Sequence, residues 1–467
     1  MHYTRRLLER RYSSVFVIVG SLIAGTLGAS CSISDAGQVP GAHDAASDGS
    51  GEVADASAAD ATPEGDGAPP FDGGPRPVVC ASTSCATKLV TTRGKLVKKG
   101  GHVASDFTEG FCALLHDGTV ACWGAGGAGQ LGRGDDAGTA DDATPARVVG
   151  LTDIVELDHT CAVDKAGAVF CWGTGPFVRD PSLVNTTEPT PVKVDIPRAT
   201  KVAVGAAAAC ALADGNVFCW GGNLHGQLAP LETEPPSAVL TPRAIELPHG
   251  APLRDLLVGD AVFAVRDDGT FVTWGANPPL ARVSSLFPDP HPEPSALAGV
   301  SMLDIADDNA CAAAGGTAYC WGTVTPGPSD PSTSEPRVDR ALPAPVVTPE
   351  PVVQIATTRT LVERADYSPP VTRRAQRWCA VGASGAVYCW GYNAGGQAGD
   401  GTKDYAYEAV KVVNLPAPAA QVKATPEATC ALLTTGKIYC WGTNYYGQLG
   451  NGNIRVASLT PQEAVLP

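Results

Sequence analysis

CALLHDGTVACWG, Cys112 to Gly124, decides the fold because the same pattern returns six more times. Trp-Gly recurs at Trp123, Trp172, Trp220, Trp274, Trp321, Trp390 and Trp441, at intervals of 49, 48, 54, 47, 69 and 51 residues. Repetition at about fifty residues means an array of supersecondary units, each unable to bury its hydrophobic faces alone. Ahead of each Trp-Gly stands one frame: CALLHDGTVAC, CAVDKAGAVFC, CALADGNVFC, FAVRDDGTFVT, CAAAGGTAYC, CAVGASGAVYC and CALLTTGKIYC. Each reads as strand, tight turn, strand.

The cysteine spacing specifies the turn. Cys112/Cys122, Cys161/Cys171, Cys379/Cys389 and Cys430/Cys440 are ten apart. If the cysteines face one another, the loop has three residues and ends on Gly118, Gly167, Gly385 or Gly436, where a left-handed residue is needed. Cys210/Cys219 and Cys311/Cys320 are nine apart, which asks for two-residue turns at Asp214-Gly215 and Gly315-Gly316. Directly opposed residues lie within disulfide reach, so each pair is expected to form a cross-strand disulfide. In the fourth frame Phe263 and Thr273 take both cysteine places and leave no orphan thiol. Of the fifteen cysteines this leaves Cys31, and Cys80 with Cys85 just ahead of the first frame. Zinc would need close cysteine pairs converging on one point, which this spacing does not offer.

Many cysteines, 53 glycines and only 6 % aromatic residues fit turn-rich β structure in an oxidising compartment. The N-terminus agrees. Arg5, Arg6, Arg10 and Arg11 precede an apolar run from Val15 to Leu27, the pattern of a secretory signal over residues 1–30. Gly28-Ala29-Ser30-Cys31 resembles the lipobox of bacterial lipoproteins, although the usual Leu three places before the cysteine is Gly28; the expectation is acylation of Cys31, the alternative ordinary cleavage nearby. Residues 31–79 are almost entirely Ala, Asp, Gly, Ser, Pro and Glu, too poor in apolar surface to offset their ordering entropy, and read as a disordered acidic tether. The folded part is then 80–467. A net charge of −15 argues against nucleic acid as a partner.

Several frames continue in one way, as AGGAGQLG after Gly124, NLHGQLA from Asn223, NAGGQAG from Asn393 and NYYGQLG from Asn444. The combined pattern CAL..DG.V.CWG.N..GQLG resembles the regulator-of-chromosome-condensation repeat over about residues 86 to 467. The resemblance implies an all-β, seven-bladed propeller of four-stranded blades, closed by joining the chain ends in one blade. On that expectation Thr460 to Pro467 pairs into the blade begun by residues 92–124. The long interval before Trp390 implies an inserted surface loop within Val324 to Arg374. The Asn-x-x-Gly-Gln-Leu-Gly element is missing after the second, fourth and fifth frames, and the His common two places before the first cysteine stands only at His159.

No catalytic motif emerges. The histidines at 2, 43, 102, 116, 159, 225, 249 and 291 lack metal-ligand spacing, and the Asp-rich stretch Arg133 to Thr144 lacks the spacing of a calcium loop. No cofactor is expected. Founding members of the family act in nucleotide exchange through loops and a wedge outside the repeat, and no counterpart is recognisable. The expected function is a monomeric binding or scaffold module at the cell surface or in the periplasm, for a protein or glycan ligand, touching the membrane only through a lipid anchor. The rival is a hydrolase or lyase at the propeller channel, which convergent carboxylates with displaced pKa values at one channel mouth would favour.

Overall fold

The computed structural model divides the chain into two units, Met1–Asp66 and Gly67–Pro467. It describes residues 71, 73–92, 94–99, 102–106, 109–134, 139–178, 186–324, 338–359, 361–364 and 371–467. The signal segment, Cys31, the tether as far as residue 70, His2 and His43 lie outside these, as do residues 135–138 of the Asp-rich stretch.

Every frame is an antiparallel hairpin in which the paired positions face each other, Phe263 opposite Thr273 included. Six disulfides join the opposed cysteines at Cα separations of 4.0 to 4.1 Å, and a seventh joins Cys80 to Cys85. The three-residue loops end in the left-handed region, as at Gly118 (φ 78°), and the shorter turn at Asp214-Gly215 holds φ 48° and 78°, both positive as a type I′ turn demands.

One strand before and one after each hairpin complete a four-stranded antiparallel sheet, and there are seven such sheets. They form blade 1 (86–147), blade 2 (154–194), blade 3 (199–245), blade 4 (253–294), blade 5 (300–346), blade 6 (352–411) and blade 7 (419–464). The first strands, Ala86–Thr91, Ile154–Asp158, Ala199–Val204, Leu253–Val258, Val300–Ala306, Val352–Thr357 and Ala419–Ala424, neighbour one another in order, and the last neighbours the first. The result is a ring around a channel, a seven-bladed β-propeller.

What holds the ring is set by strand alternation. Trp follows the second cysteine directly, so indole and disulfide lie on opposite faces of a blade. Each seam therefore joins the indole of one blade to the disulfide of the preceding one: Trp172 shares a buried cluster with Cys112 and Cys122, Trp220 with Cys161 and Cys171, and Trp274 with Cys210 and Cys219. Trp390 packs with Cys311 and Cys320, Trp441 with Cys379 and Cys389, and Trp123 with Cys430 and Cys440. In the remaining seam Phe263 fills the disulfide's place, its ring centroid 6.3 Å from that of Trp321. A buried indole removes some 200 Å² from water, on the order of 5 kcal/mol before entropy is subtracted.

Ring closure departs from the expectation. Ser458–Ala464 pairs with Ile438–Gly442 of its own blade, and blade 1 takes all its strands from the N-terminal side. The strand Ala86–Thr91 already occupies the place that the C-terminal segment was expected to fill. Blades 7 and 1 are joined instead by side-chain packing and by the segment before Ala86. Phe71 and Val78 pack at the blade edges, Arg76 Nε donates to Ala383 O at 3.3 Å, Val79 N–H to Thr434 O at 2.8 Å and Ala86 N–H to Gly436 O at 2.9 Å. Phe71 and residues 73–79, read from sequence as the end of the tether, thus form a strap across the hairpin turns of blades 6 and 7, and the Cys80–Cys85 bridge ties off its end.

The long interval before Trp390 also differs from a single loop. Residues 325–337 lie outside the description, but Leu361–Arg364 and Val371–Arg374 form a β-hairpin between the first and second strands of blade 6. Blade 1 carries a second inserted hairpin in the same slot, Lys95–Lys99 with His102–Asp106. Because strands alternate in direction, these insertions and the links between third and fourth strands emerge on one face, the mouth face. The hairpin turns and the strap occupy the other.

Candidate site at the channel mouth

The innermost strands pair on one side only, so their other edge must find partners elsewhere. Side chains of the neighbouring blade supply them. Leu89 N–H donates to Gln421 Oε1 at 2.9 Å, Val204 N–H to Asp158 Oδ2 at 2.8 Å, and Thr357 N–H to Asp304 Oδ2 at 2.9 Å. Charges inside the channel are paired: Glu156 lies between Lys88 and Lys201, the latter at 3.3 Å, and Lys423 bonds to Asp304.

At the mouth a polar cluster gathers where blades 5, 6, 7 and 1 meet. Glu109, from the return of the first inserted hairpin, accepts the Thr425 hydroxyl and, at 3.3 Å, the Glu427 N–H. Burial pushes its carboxyl up to about 7, against the lowering effect of the Thr425 bond. Arg377, from the return of the second, donates through Nη2 to the carbonyls of Thr425 (2.8 Å) and Ala428 (2.9 Å). Burial brings its guanidinium down to about 10, with Glu109 and Glu427 opposing the fall. Arg359 pairs with Asp307 at 3.4 Å, and His159 Nδ1 meets Thr91 O at 2.8 Å.

Two cavities open on this face. One, of about 60 Å³, is lined by His159, Asp304, Asp307, Arg359 and Lys423 among others. The second, of about 130 Å³, lies between His225, Asp260, Asn277 and the exposed Phe287. Both fall short of the roughly 300 to 1,000 Å³ of an ordinary small-molecule site. Among the described residues no group of three His, Cys, Asp or Glu could hold a metal.

The cysteines and tryptophans singled out by the repeat all lie in blades and seams, away from the mouth, apart from the strap's bridge. His159 reaches the mouth, His225 sits by Asp260 at 3.6 Å with burial lowering its pKa, and His291 faces Asp289 at 3.2 Å. The mouth residues Glu109, Arg377, Arg359, Asp304 and Lys423 escaped the sequence reading. A signal was there: the positions two and three before the first cysteine of a frame hold Glu109, His159, Asn309, Arg377 and Glu427, the slot already noticed for His159.

The repeat pattern has a structural counterpart. Gln130, Gln227, Gln397 and Gln448 of the Gly-Gln elements each lend a backbone carbonyl to the next blade's indole N–H, at 2.7 to 3.0 Å. Where the element is missing, Phe177 O and Pro279 O accept Trp220 and Trp321 at 2.9 and 2.8 Å.

Comparison with known proteins agrees with this geometry. Regulator of chromosome condensation (RCC1) repeat models match residues 199–227, 420–448 and 435–466. The chain is 27 % identical over 355 residues to the ultraviolet-B receptor UVR8 of Arabidopsis thaliana, covering 73 % of this chain and 64 % of that one. It is 32 % identical over 184 residues to the mouse (Mus musculus) regulator of chromosome condensation, covering 36 % and 42 %. It spans less than two thirds of the length of these relatives. Among solved structures, human WBSCR16 superposes with a TM-score of 0.58 at 17 % identity, over 75 % of this chain and 94 % of that one. Yeast RCC1 (Prp20), in its complex with Kap60, gives 0.57 at 20 %, over 74 % and 83 %. Six cysteine-framed hairpins and a seventh framed by Phe263 and Thr273, each packing its indole against the blade before, carry the regulator of chromosome condensation repeat that these models match and close into a seven-bladed propeller similar to those structures.

Proposed function

We propose that the chain is an exported binding or scaffold module, acylated at Cys31 or cleaved nearby, whose propeller displays its mouth face to a protein or glycan ligand without catalysing a reaction. The observation that carries this reading is the difference between the two faces. The strap brings the chain in on the turn face and leaves the mouth face clear of it. The mouth face holds the inserted hairpins and the links that differ from blade to blade, on a frame that stays constant. Seven disulfides suit an oxidising compartment. Yeast relatives are described as bound to Kap60 and as binding Gsp1p and histones, which supports a protein ligand.

A channel hydrolase or lyase is the second reading, favoured by the Glu109 carboxyl near 7. Against it, Glu109 is only 7 % exposed and already engaged by Thr425 and Glu427, and the cavities are small. The test is crosslinking of the full-length protein on intact cells, followed by identification of what it captures, with thiol labelling of the same cells. The expected result is an envelope-located chain without free thiols, crosslinked to one dominant partner. A cytosolic chain with labelled cysteines overturns the reading.

A further inference from the structure

The two inserted hairpins occupy equivalent slots in blades 1 and 6 and rise from the mouth face. Blade 7 separates them, and its own link in that slot is only residues 425–427. Their charge is opposite to that of the chain. The strands Lys95–Lys99 and His102–Asp106 hold Lys95, Lys98 and Lys99 against Asp106, and the strands Leu361–Arg364 and Val371–Arg374 hold Arg364, Arg373 and Arg374 against Glu363, in a protein of net charge −15. Each hairpin is a two-stranded sheet, so a strand edge of each remains outside the sheet's own hydrogen bonding. Lys95–Lys99 neighbours Val169–Thr174 of blade 2, which leaves His102–Asp106 as the edge better placed for a further strand.

We infer that these hairpins take up an extended acidic polypeptide segment of a partner protein by strand addition; the inference rests on the binding-module reading and specifies its ligand. Strand addition uses main-chain hydrogen bonds for affinity and charge for choice. It needs a polypeptide backbone, which a polysaccharide lacks, and no Phe, Tyr or Trp stands in the hairpin strands to stack on a sugar ring. In blade 6 the strand Val371–Arg374 brings Arg373 and Arg374, and in blade 1 the strand paired to the His102–Asp106 edge brings Lys95, Lys98 and Lys99; this positive charge turns away a basic strand and admits an acidic one. Asp260, Asp307 and Asp308, on blades 4 and 5, and Glu427 on blade 7 repel the same segment. It is therefore held on the hairpins, out of the channel.

The experiment measures fluorescence anisotropy of a labelled synthetic peptide of alternating Glu and Val with the full chain. A Lys-Val peptide and an N-methylated Glu-Val peptide, which keeps its charge but cannot pair along an edge, are the controls. The Glu-Val peptide is expected to bind and to weaken as salt rises. Lys98→Glu with Lys99→Glu, or Arg373→Glu with Arg374→Glu, should each weaken it about tenfold. Both hairpins stand outside the blades, so unchanged thermal melts certify that these variants fold. Unaltered binding by the charge-reversed chains, or equal binding of the N-methylated peptide, overturns the inference. Displacement by polygalacturonate at lower concentration than by the unlabelled peptide also overturns it, in favour of an anionic polysaccharide. If the reversed chains still crosslink their cell-surface partner, the binding module stands and this site falls.

Discussion

Trp123 Nε1, in blade 1, donates to the carbonyl of Gln448, in blade 7, at 3.0 Å, the same bond that Trp172 makes to Gln130 at 2.8 Å between blades 1 and 2. The seam between the chain's two ends is thus built like a seam between consecutive blades, with no shared sheet. If so, its loss should cost as much as the loss of an internal seam. Trp123→Phe and Trp172→Phe should each destabilise by about 1 to 3 kcal/mol, from the lost hydrogen bond and the indole's extra volume. Urea unfolding of both variants checks this. A Trp123→Phe change far smaller than its counterpart would show the terminal seam to be open.

The strap makes a second prediction. Deleting residues 71–79 removes the Val79 to Thr434 and Arg76 to Ala383 bonds while leaving every blade whole. The melting temperature should fall, and hydrogen exchange should quicken first in Ala428–Leu433 and Ile438–Gly442 of blade 7. Unchanged exchange there would remove the strap's role in closure.

Blade 4 tests whether the disulfide matters as a bond or as packing. Phe263→Cys with Thr273→Cys restores an opposed pair, and the register permits it to bond. The new bridge should contribute roughly 2 to 3 kcal/mol by restricting the unfolded chain. Loss of the Phe263 ring against Trp321 costs about as much. The expected outcome is complete oxidation with stability within about 1 kcal/mol of the parent. Mass spectrometry without reductant and urea unfolding read the two halves of that statement.

Glu109 gives a pH dependence of known sign. Its carboxyl titrates near 7 in the folded chain, above the ordinary 4.5, so between those values the folded state holds the extra proton. Stability from this group is whole below pH 4.5 and is lost as pH rises toward 7, by up to about 1.4 kcal/mol per unit. Glu109→Gln cannot ionise. Relative to the parent it should be near neutral at low pH and gain stability through this window, levelling off above 7. Urea unfolding at a series of pH values checks the difference, and a pH-independent difference would contradict it.

The repeat was legible because its chemistry is local. Opposed cysteines, left-handed turn glycines and a Trp one residue further fix hairpin, register and the two faces of a blade without reference to the rest of the chain. The inserted hairpin of blade 1 was not legible, because it precedes the first Trp and changes no interval; that of blade 6 showed only as length. The C-terminal strand was assigned to the wrong blade because its sequence resembles any outer strand, and only the presence of Ala86–Thr91 beside the first hairpin decides which sheet has room. The mouth cluster was missed for a related reason: Glu109, Arg377 and Thr425 are far apart in sequence and unremarkable singly.

By itself, then, the sequence determines seven hairpins, six of them framed by disulfides, and the propeller they build, since each depends on residues within about ten of one another. Tertiary structure alone decides how the ring closes, which carbonyl takes the indole where the Gly-Gln element is missing, and that two basic insertions share one face around a buried Glu109 and Arg377. Those are relations between blades. They follow from the curvature of the closed ring, which brings residues more than three hundred positions apart, such as Glu109 and Thr425, into hydrogen-bond contact.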